Sequence, residues 1–237
     1  MIITFKNSGQ TLGQLTKKIK EKTNGKICYI GRLDPIASGL VCYLTNDECK
    51  IASQYMKSDK TYTFNLILGM STDTGDALGI IKQIRAIYDF TEDLSIFSGL
   101  EYEQKYPIYS SYVIEKGGMK KPLWYYAKFG PELKEDEIPD HKVKVYILEK
   151  IGKRFVIEDA KYFMDVVGEL DDKKGEEFRK NEIMEQYKGL KNINLLGIPM
   201  LAKVSSGTYI RKLCEDIGDY FGVPAMADKI ERISYHF

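Results

Sequence analysis

The 237-residue sequence is poor in the residues that most often build metal centres. It has two histidines, His141 and His236, and four cysteines without a Cys-x-x-Cys pair. Zinc sites need cysteine and histidine ligands at short spacings, so we expect no metal site. We interpret the cysteines as reduced thiols of an intracellular protein. Carboxylate, tyrosine and arginine side chains must then carry any catalysis.

Long apolar runs are also absent, whereas a membrane span needs about 20 consecutive apolar residues. The first ten residues have neither the apolar segment of a signal peptide nor an arginine-rich transit helix. We therefore expect a cytoplasmic protein with no membrane partner. Without a Gly/Ser-rich or Pro-rich linker or an internal repeat, residues 1–237 are predicted to form a single domain. Residues 169–192 carry many charges of both signs and are predicted to be an exposed insertion.

The net charge of +1 hides an uneven distribution of basic residues. Residues 1–32, called the basic block below, hold seven basic side chains against Glu21 alone. A second group of lysines lies between Lys116 and Lys128. Such groups either contact nucleic-acid phosphates or form the exposed face of a helix, and charge alone leaves both interpretations open.

Local patterns predict several elements. Thr11 is a candidate N-cap for a helix over residues 12–23, and Thr91 for a short helix ending near residue 97. Residues 61–68 alternate as a strand, and two strands are predicted over 142–150 and 153–167. The last 40 residues are read as a strand followed by a helix that Gly222 ends. Because strands and helices do not alternate regularly, the pattern favours an α+β fold.

Three segments could carry chemistry. Asp34 lies in a loop stiffened by Gly31 and Pro35, although an aspartate before proline is usually a turn residue. Residues 205–211 open a helix, whose free N–H groups could bind an anion or could simply be capped. Residues 72–76 lack the spaced ligands of a calcium loop, so we do not interpret them as a metal site.

The order of several motifs strongly resembles that of the TruB-type tRNA pseudouridine synthases. They run over nearly the whole chain: Lys6-Asn-Ser-Gly-Gln-Thr11, Gly31-Arg-Leu-Asp-Pro-Ile-Ala-Ser-Gly39, Lys60-Thr-Tyr62, Leu68-Gly-Met-Ser-Thr-Asp-Thr-Gly-Asp76, Gln104-Lys-Tyr-Pro-Ile-Tyr-Ser110, Ser205-Ser-Gly-Thr-Tyr-Ile-Arg211 and Ile230-Glu-Arg232. The resemblance implies a mixed, largely antiparallel central sheet, flanked by helices and loops with an RNA-binding cleft. It also implies isomerisation of uridine 55 in the tRNA T loop without a cofactor.

Site residues follow from the same resemblance. Asp34 is expected to be the catalytic carboxylate, Tyr62 the aromatic residue on the target base and Arg211 the partner of the aspartate. The expected substrate-binding residues are Tyr209, Ile230, Lys60, Tyr29, Arg32 and Thr208. The implied partner is the T arm of tRNA, and we expect a monomer with no obligatory protein partner.

The sequence departs from the family pattern in places that leave alternatives open. Tyr29 stands where the family has a histidine that helps to organise the RNA loop, and Tyr106 replaces the first proline of a Pro-Pro pair. Most members also carry a PUA-type RNA-binding module after the catalytic domain, and we expect weaker tRNA binding without it. The alternatives are an RNA-binding or tRNA-folding protein with weak or no turnover, and a pseudouridine synthase acting on another RNA.

Overall fold

The computed structural model describes residues 1–170 and 178–237. The strands are β1 (Ile2–Lys6), β2 (Ile27–Ile30), β3 (Ser38–Thr45), β4 (Asp59–Leu68), β5 (Met70–Thr72), β6 (Ile81–Ile84), β7 (Glu101–Lys105), β8 (Val113–Lys116), β9 (Met119–Pro122), β10 (Asp140–Lys150), β11 (Phe155–Ile157), β12 (Leu195–Val204) and β13 (Ala225–His236). The α-helices are α1 (Leu12–Glu21), α2 (Ala52–Met56), α3 (Leu123–Phe129), α4 (Lys161–Gly168), α5 (Lys180–Gly189) and α6 (Ile210–Phe221). Short 3₁₀ helices cover Asn46–Ile51, Leu94–Phe97 and Glu135–Glu137.

Within these ranges, nine strands build the central sheet in the order β1-β3-β13-β4-β12-β10-β7, with β2 on β3 and β11 on β12. The pairs are antiparallel except β13 with β3, which is parallel. Two hairpins, β5-β6 and β8-β9, form small separate sheets. The prediction of an α+β fold with a mixed, largely antiparallel sheet is confirmed.

The central strand β4 is covered on both faces. Tyr62, Phe64, Leu66 and Leu68 face one side, where they join a core cluster with residues of α6. Ile67 faces the other side, in a second cluster that α4 and α5 complete. The predicted alternation of residues 61–68 is therefore correct, since side chains two apart share one face of a strand.

The helix predicted after Thr11 is confirmed, with α1 covering residues 12–21. The Gln14 backbone N–H donates to Thr11 Oγ1 at 3.2 Å, and the Thr11 N–H donates to Gln14 Oε1 at 2.7 Å. This reciprocal capping box satisfies two backbone donors that a helix start leaves free. The short helix near residue 97 is present as a 3₁₀ turn, but Asp93 rather than Thr91 caps it.

The strand predicted over residues 153–167 is wrong. Only Phe155–Ile157 is extended, and helix α4 follows at Lys161. Phe163, Val166 and Val167 are buried together, and this spacing of three and four residues belongs to a helix. The aromatic and β-branched residues in the segment had favoured a strand, and packing overrode that propensity.

Strand β13 was missed, because charged residues interrupt its alternation. Its pairing with β4 shifts register between Asp228 and Glu231, and Lys229 has a positive φ of 46°. Such a bulge moves the following side chains to new faces, so a search for period two fails across it. The strand lies between β3 and β4 in the sheet, and its Arg232 contacts the loop that carries Asp34.

The described residues of the charged segment 169–192 include buried as well as exposed side chains. Residues 171–177 lie outside the described part of the chain, but the helical spacing read at Ile183 and Tyr187 corresponds to α5. Both side chains are buried against α4 and the neighbouring core. Among the described residues, no helix is both long and apolar enough to cross a bilayer.

Candidate active site

A buried lysine holds the loop that carries Asp34. The loop connects β2 to β3, and Lys6, at the end of β1, points under it with no exposed surface. Lys6 Nζ donates to the carbonyls of Pro35 at 2.8 Å and Ala37 at 2.5 Å. Burial lowers the pKa of Lys6 to about 8, although the charge of Asp34 acts in the opposite direction.

Arg232 of β13 holds the same loop from its other end. Its Nη1 donates to the Arg32 carbonyl at 3.2 Å and its Nη2 to the Gly31 carbonyl at 3.3 Å. Gly31 has a φ of 69°, a left-handed conformation that glycine adopts without steric cost. Two buried cations therefore bind four carbonyls of one loop, which fixes the backbone on both sides of Asp34.

Arg211, in the first turn of α6, binds Asp34 directly. Its Nε lies 2.7 Å from Asp34 Oδ2, while its Nη1 and Nη2 donate to the carbonyls of Thr74 and Tyr109. The Arg211 side chain is 4% exposed, whereas that of Asp34 is 37% exposed. The guanidinium is thus fixed by three groups, and it presents the carboxylate at the edge of solvent.

Asp76 is a second carboxylate at Arg211, with its Oδ2 3.6 Å from the Arg211 Nε. Its other oxygen accepts from Thr74 Oγ1 at 2.7 Å and the Leu78 N–H at 2.9 Å. Burial and the charge of Asp34 raise the pKa of Asp76 to about 6, against the influence of Arg211. Burial disfavours the charge of Arg211, but Asp34 and Asp76 outweigh it and raise its pKa.

Two further predicted residues lie around this pair, and a third, Tyr62, lies in the core. Tyr209 is the N-cap residue of α6, and burial together with the charge of Asp34 raises its pKa. Ile230 lines a narrow cavity together with Asp34 and Asp76. Tyr62 is 7% exposed and belongs to the same core cluster as Ile230. The structure therefore brings Asp34, Arg211, Tyr209 and Ile230 to one place, whereas Tyr62 is a buried residue of the core.

Other predicted substrate-binding residues lie outside that group. The guanidinium of exposed Arg32 lies 5.8 Å from the ring centroid of Tyr29, as in a cation–π pair. Thr208 lies before α6, where its Oγ1 is 3.3 Å from Ser205 Oγ. The structure does not bring Lys60 to the surface: its side chain is buried and its Nζ donates to the Ser58 carbonyl. This burial lowers the pKa of Lys60 to about 8.

The sequence patterns did not predict an aromatic stack that lies next to Tyr209. The Tyr106 ring stacks on Tyr112 at 3.8 Å and on His141 at 4.0 Å, and the ring of Tyr209 stands edge-on to Tyr106 at 5.8 Å. These residues come from distant segments, so spacing along the chain could not group them. The only sign of this stack in the sequence was Tyr106, which replaces a proline of the family pattern.

This arrangement suits a reaction at an electrophilic carbon. Asp34 is a carboxylate whose position is fixed and whose surface is partly open, as a nucleophile or a stabiliser of positive charge requires. In the part of the chain that the structure describes, no group of three or more His, Cys, Asp or Glu side chains is arranged to hold a metal.

Two solved structures share the fold. A Cbf5-Nop10-Gar1 complex contains a chain of 18% identity with a TM-score of 0.56, which matches 98% of this protein and 47% of that chain. An H/ACA ribonucleoprotein bound to a substrate RNA containing 2′-deoxyuridine contains a chain of 17% identity with a TM-score of 0.52, matching 98% and 45%. At these identities the likeness defines the fold.

Sequence comparison assigns the chain to a protein family. The model of the TruB family pseudouridylate synthase N-terminal domain matches residues 17–160, more than half of the chain. The chain therefore belongs to the TruB family.

Curated relatives extend the match to nearly the full sequence. The tRNA pseudouridine synthase B of Mesoplasma florum is 27% identical over 239 residues, which are 98% of this chain and 67% of the relative. The tRNA pseudouridine synthase B of Azoarcus sp. is 30% identical, over 98% of this chain and 63% of the relative. The chain thus spans about two thirds of the length of these relatives.

Proposed function

We propose that this protein is a tRNA pseudouridine synthase that isomerises uridine 55 in the T loop of tRNA. The observation that carries the proposal is the Asp34–Arg211 pair, in which a loop fixed by Lys6 and Arg232 presents a partly exposed carboxylate. Membership of the TruB family supports the reaction class, and the relatives named tRNA pseudouridine synthase B support the substrate. Residues 1–237 are proposed to form one catalytic domain.

The proposed reaction breaks the bond between C1′ of the ribose and N1 of the uracil. The detached uracil turns and forms a bond from C5 to C1′, after which C5 loses its proton and N1 gains one. The Asp34 carboxylate acts as a nucleophile or stabilises the sugar cation, as carboxylates do in glycosidases. Attack on the sugar and attack on the base both need the same carboxylate.

The remaining residues are proposed to bind the flipped nucleotide and the RNA. Tyr62 is proposed to offer its aromatic ring to the planar uracil. Ile230 lines the cavity beside Asp34, and Tyr209, the N-cap residue of α6, is proposed to contact the nucleotide next to it. Tyr29, Arg32 and Thr208 are proposed as contacts to the surrounding RNA. Because Lys60 is buried and its Nζ donates to the Ser58 carbonyl, we propose a structural role for it instead of an RNA contact.

The basic block supplies the charge that tRNA binding needs. Its exposed members are Lys17, Lys18, Lys20, Lys22, Lys26 and Arg32, whereas Lys6 is buried. Extruding a stacked uridine costs a few kcal/mol, which contacts between cations and phosphates must offset. We propose that the protein does this as a monomer, without a metal, a cofactor or a protein partner.

Pseudouridine mapping on an unmodified tRNA transcript, incubated with purified protein and no additives, tests the proposal. We expect one new pseudouridine at position 55. Product at another position, or only in a different RNA, would favour a synthase with another target. Stable tRNA binding without product would favour the RNA-binding or tRNA-folding alternative, and Tyr29→His would then be the first reversion to examine.

A further inference from the structure

A salt bridge links Arg179, in the charged insertion, to Asp73, in the loop of residues 73–80. Arg179, next to the start of α5, donates from Nη1 to Asp73 Oδ2 at 2.8 Å and from Nη2 to Asp73 Oδ1 at 3.0 Å. Two parallel hydrogen bonds of this kind fix orientation as well as distance. The side chains are 24% and 26% exposed, so solvent screens the pair less than an ordinary surface ion pair.

The same guanidinium also contacts Tyr109, whose backbone carbonyl binds Arg211. It lies 4.8 Å from the ring centroid of Tyr109, whose hydroxyl is 3.4 Å from Asp73 Oδ2. The backbone carbonyl of Tyr109 accepts from Arg211 Nη2 at 3.2 Å. Arg179 therefore packs on the residue that supplies one of the carbonyl contacts of Arg211.

Asp73 belongs to the loop that supplies the other carbonyl contact. The Asp73 N–H donates to the Ile80 carbonyl at 2.9 Å, and the Ile80 N–H donates to Asp73 Oδ1 at 2.8 Å. These bonds close the loop across residues 73–80, and the carbonyl of Thr74 within it accepts from Arg211 Nη1. Movement of Asp73 would thus be passed to Arg211 through the adjacent residue.

Helix α5 contacts this loop at two further points. Tyr187 Oη donates to the Ala77 carbonyl at 3.2 Å, and the Ile81 N–H donates to Gln186 Oε1 at 2.9 Å. Arg179 itself has a φ of 57°, a left-handed conformation that is unfavourable for a non-glycine residue. Such a conformation persists where surrounding contacts enforce it, and here the contacts to Asp73 and Tyr109 do so.

We propose that Arg179 is a positioning residue, and that through Asp73 and Tyr109 it holds Arg211 in contact with Asp34. Arg179 and α5 then serve to stiffen the loop of residues 73–80. The kinetic part of this inference rests on the proposed function, whereas its structural part does not. Two measurements on the same variants therefore test the structural part and the kinetic part separately.

The first readout is amide hydrogen exchange of the RNA-free protein, followed by mass spectrometry of peptides covering residues 72–81. We expect exchange there to accelerate about tenfold or more in Arg179→Ala, since local opening becomes easier, and less in Arg179→Lys. The matched control is Arg154→Ala, which removes a guanidinium bound to Asp89 at 3.0 Å in another ion pair. It should leave these peptides unchanged. Equal exchange in Arg179→Ala and wild type would overturn the proposal, whatever the enzyme acts on.

The second readout is steady-state kinetics of pseudouridine formation. We expect kcat of Arg179→Ala to fall about 10- to 100-fold with KM changed by no more than about twofold, because misplaced catalytic groups slow the reaction without weakening RNA binding. Arg179→Lys should recover part of the rate, and Arg154→Ala should match wild type. Faster exchange with an unchanged kcat would overturn the positioning role. An inactive wild-type protein would instead contradict the proposed function, and hydrogen exchange would still decide whether Arg179 holds the loop.

Discussion

Replacing Lys6 with methionine should lower kcat and should change how the free energy of unfolding depends on pH. The ammonium of Lys6 supplies hydrogen bonds to the carbonyls of Pro35 and Ala37, on either side of Ile36 and just after Asp34. Methionine fills similar volume but cannot donate, so these carbonyls lose their partner and the loop is free to shift. A displacement near 1 Å at a catalytic group costs up to about 100-fold, and we expect kcat to fall about 10- to 100-fold.

The effect of Lys6→Met on stability depends on pH, and the lowered pKa of Lys6 determines the direction of that dependence. Burial lowers the pKa of Lys6 to about 8 from 10.5, so between these values the unfolded chain holds a proton that the folded protein has released. The free energy of unfolding therefore gains about 1.4 kcal/mol per pH unit from this group, or about 3 kcal/mol over the window. Below pH 8 both states are protonated and the contribution is constant.

Urea titrations of wild type and Lys6→Met at a series of pH values test this reasoning. The stability of wild type relative to the variant should rise by about 3 kcal/mol from pH 8 to 10.5. Lys17→Met, which removes an exposed lysine of the same block, serves as the control for kcat. Parallel stability curves together with an unchanged kcat would refute the role assigned to Lys6.

Two further predictions concern the glycine after the loop and the basic block. Gly39→Ala should destabilise the fold by about 2–4 kcal/mol in urea titrations, because its φ is +117° and a Cβ would lie 2.3 Å from the Arg232 carbonyl oxygen. Gly99→Ala, with a φ of +80° and open space around the Cβ, should cost less, and equal losses would contradict the close contact. Lys17→Glu with Lys18→Glu should raise KM for tRNA about tenfold at low salt while leaving kcat unchanged, and the difference should shrink as salt rises. An unchanged KM at low salt would show that tRNA does not bind at Lys17 and Lys18.

Elements defined by local signals were the most predictable from sequence. Thr11 is the N-cap expected at the start of α1, and the alternation from Tyr62 to Leu68 matches β4. Both depend on residues within one element. Strand β13 and helix α4 were not predicted correctly, because a bulge at Lys229 and packing against distant helices determine them.

The resemblance identified residues of the site without showing how they are held. It paired Asp34 with Arg211, and the structure places them 2.7 Å apart. It could not show that Lys6, unlike the other basic residues of the basic block, is buried under the loop. Nor could it show that Asp76 shares Arg211, or that Arg179 reaches Asp73 from the insertion. Charge patterns along a chain carry no information about burial, and these contacts join segments that are far apart in sequence.

The most direct test of the account is the single-turnover rate of Asp34→Asn on a tRNA transcript, with tRNA binding measured on the same preparation. Asparagine keeps the shape of the side chain but cannot act as a nucleophile or balance a sugar cation. We expect no detectable pseudouridine at position 55 while the affinity for tRNA stays within about threefold of wild type. Conversion by Asp34→Asn at the wild-type rate would contradict the assignment of Asp34 as the catalytic carboxylate.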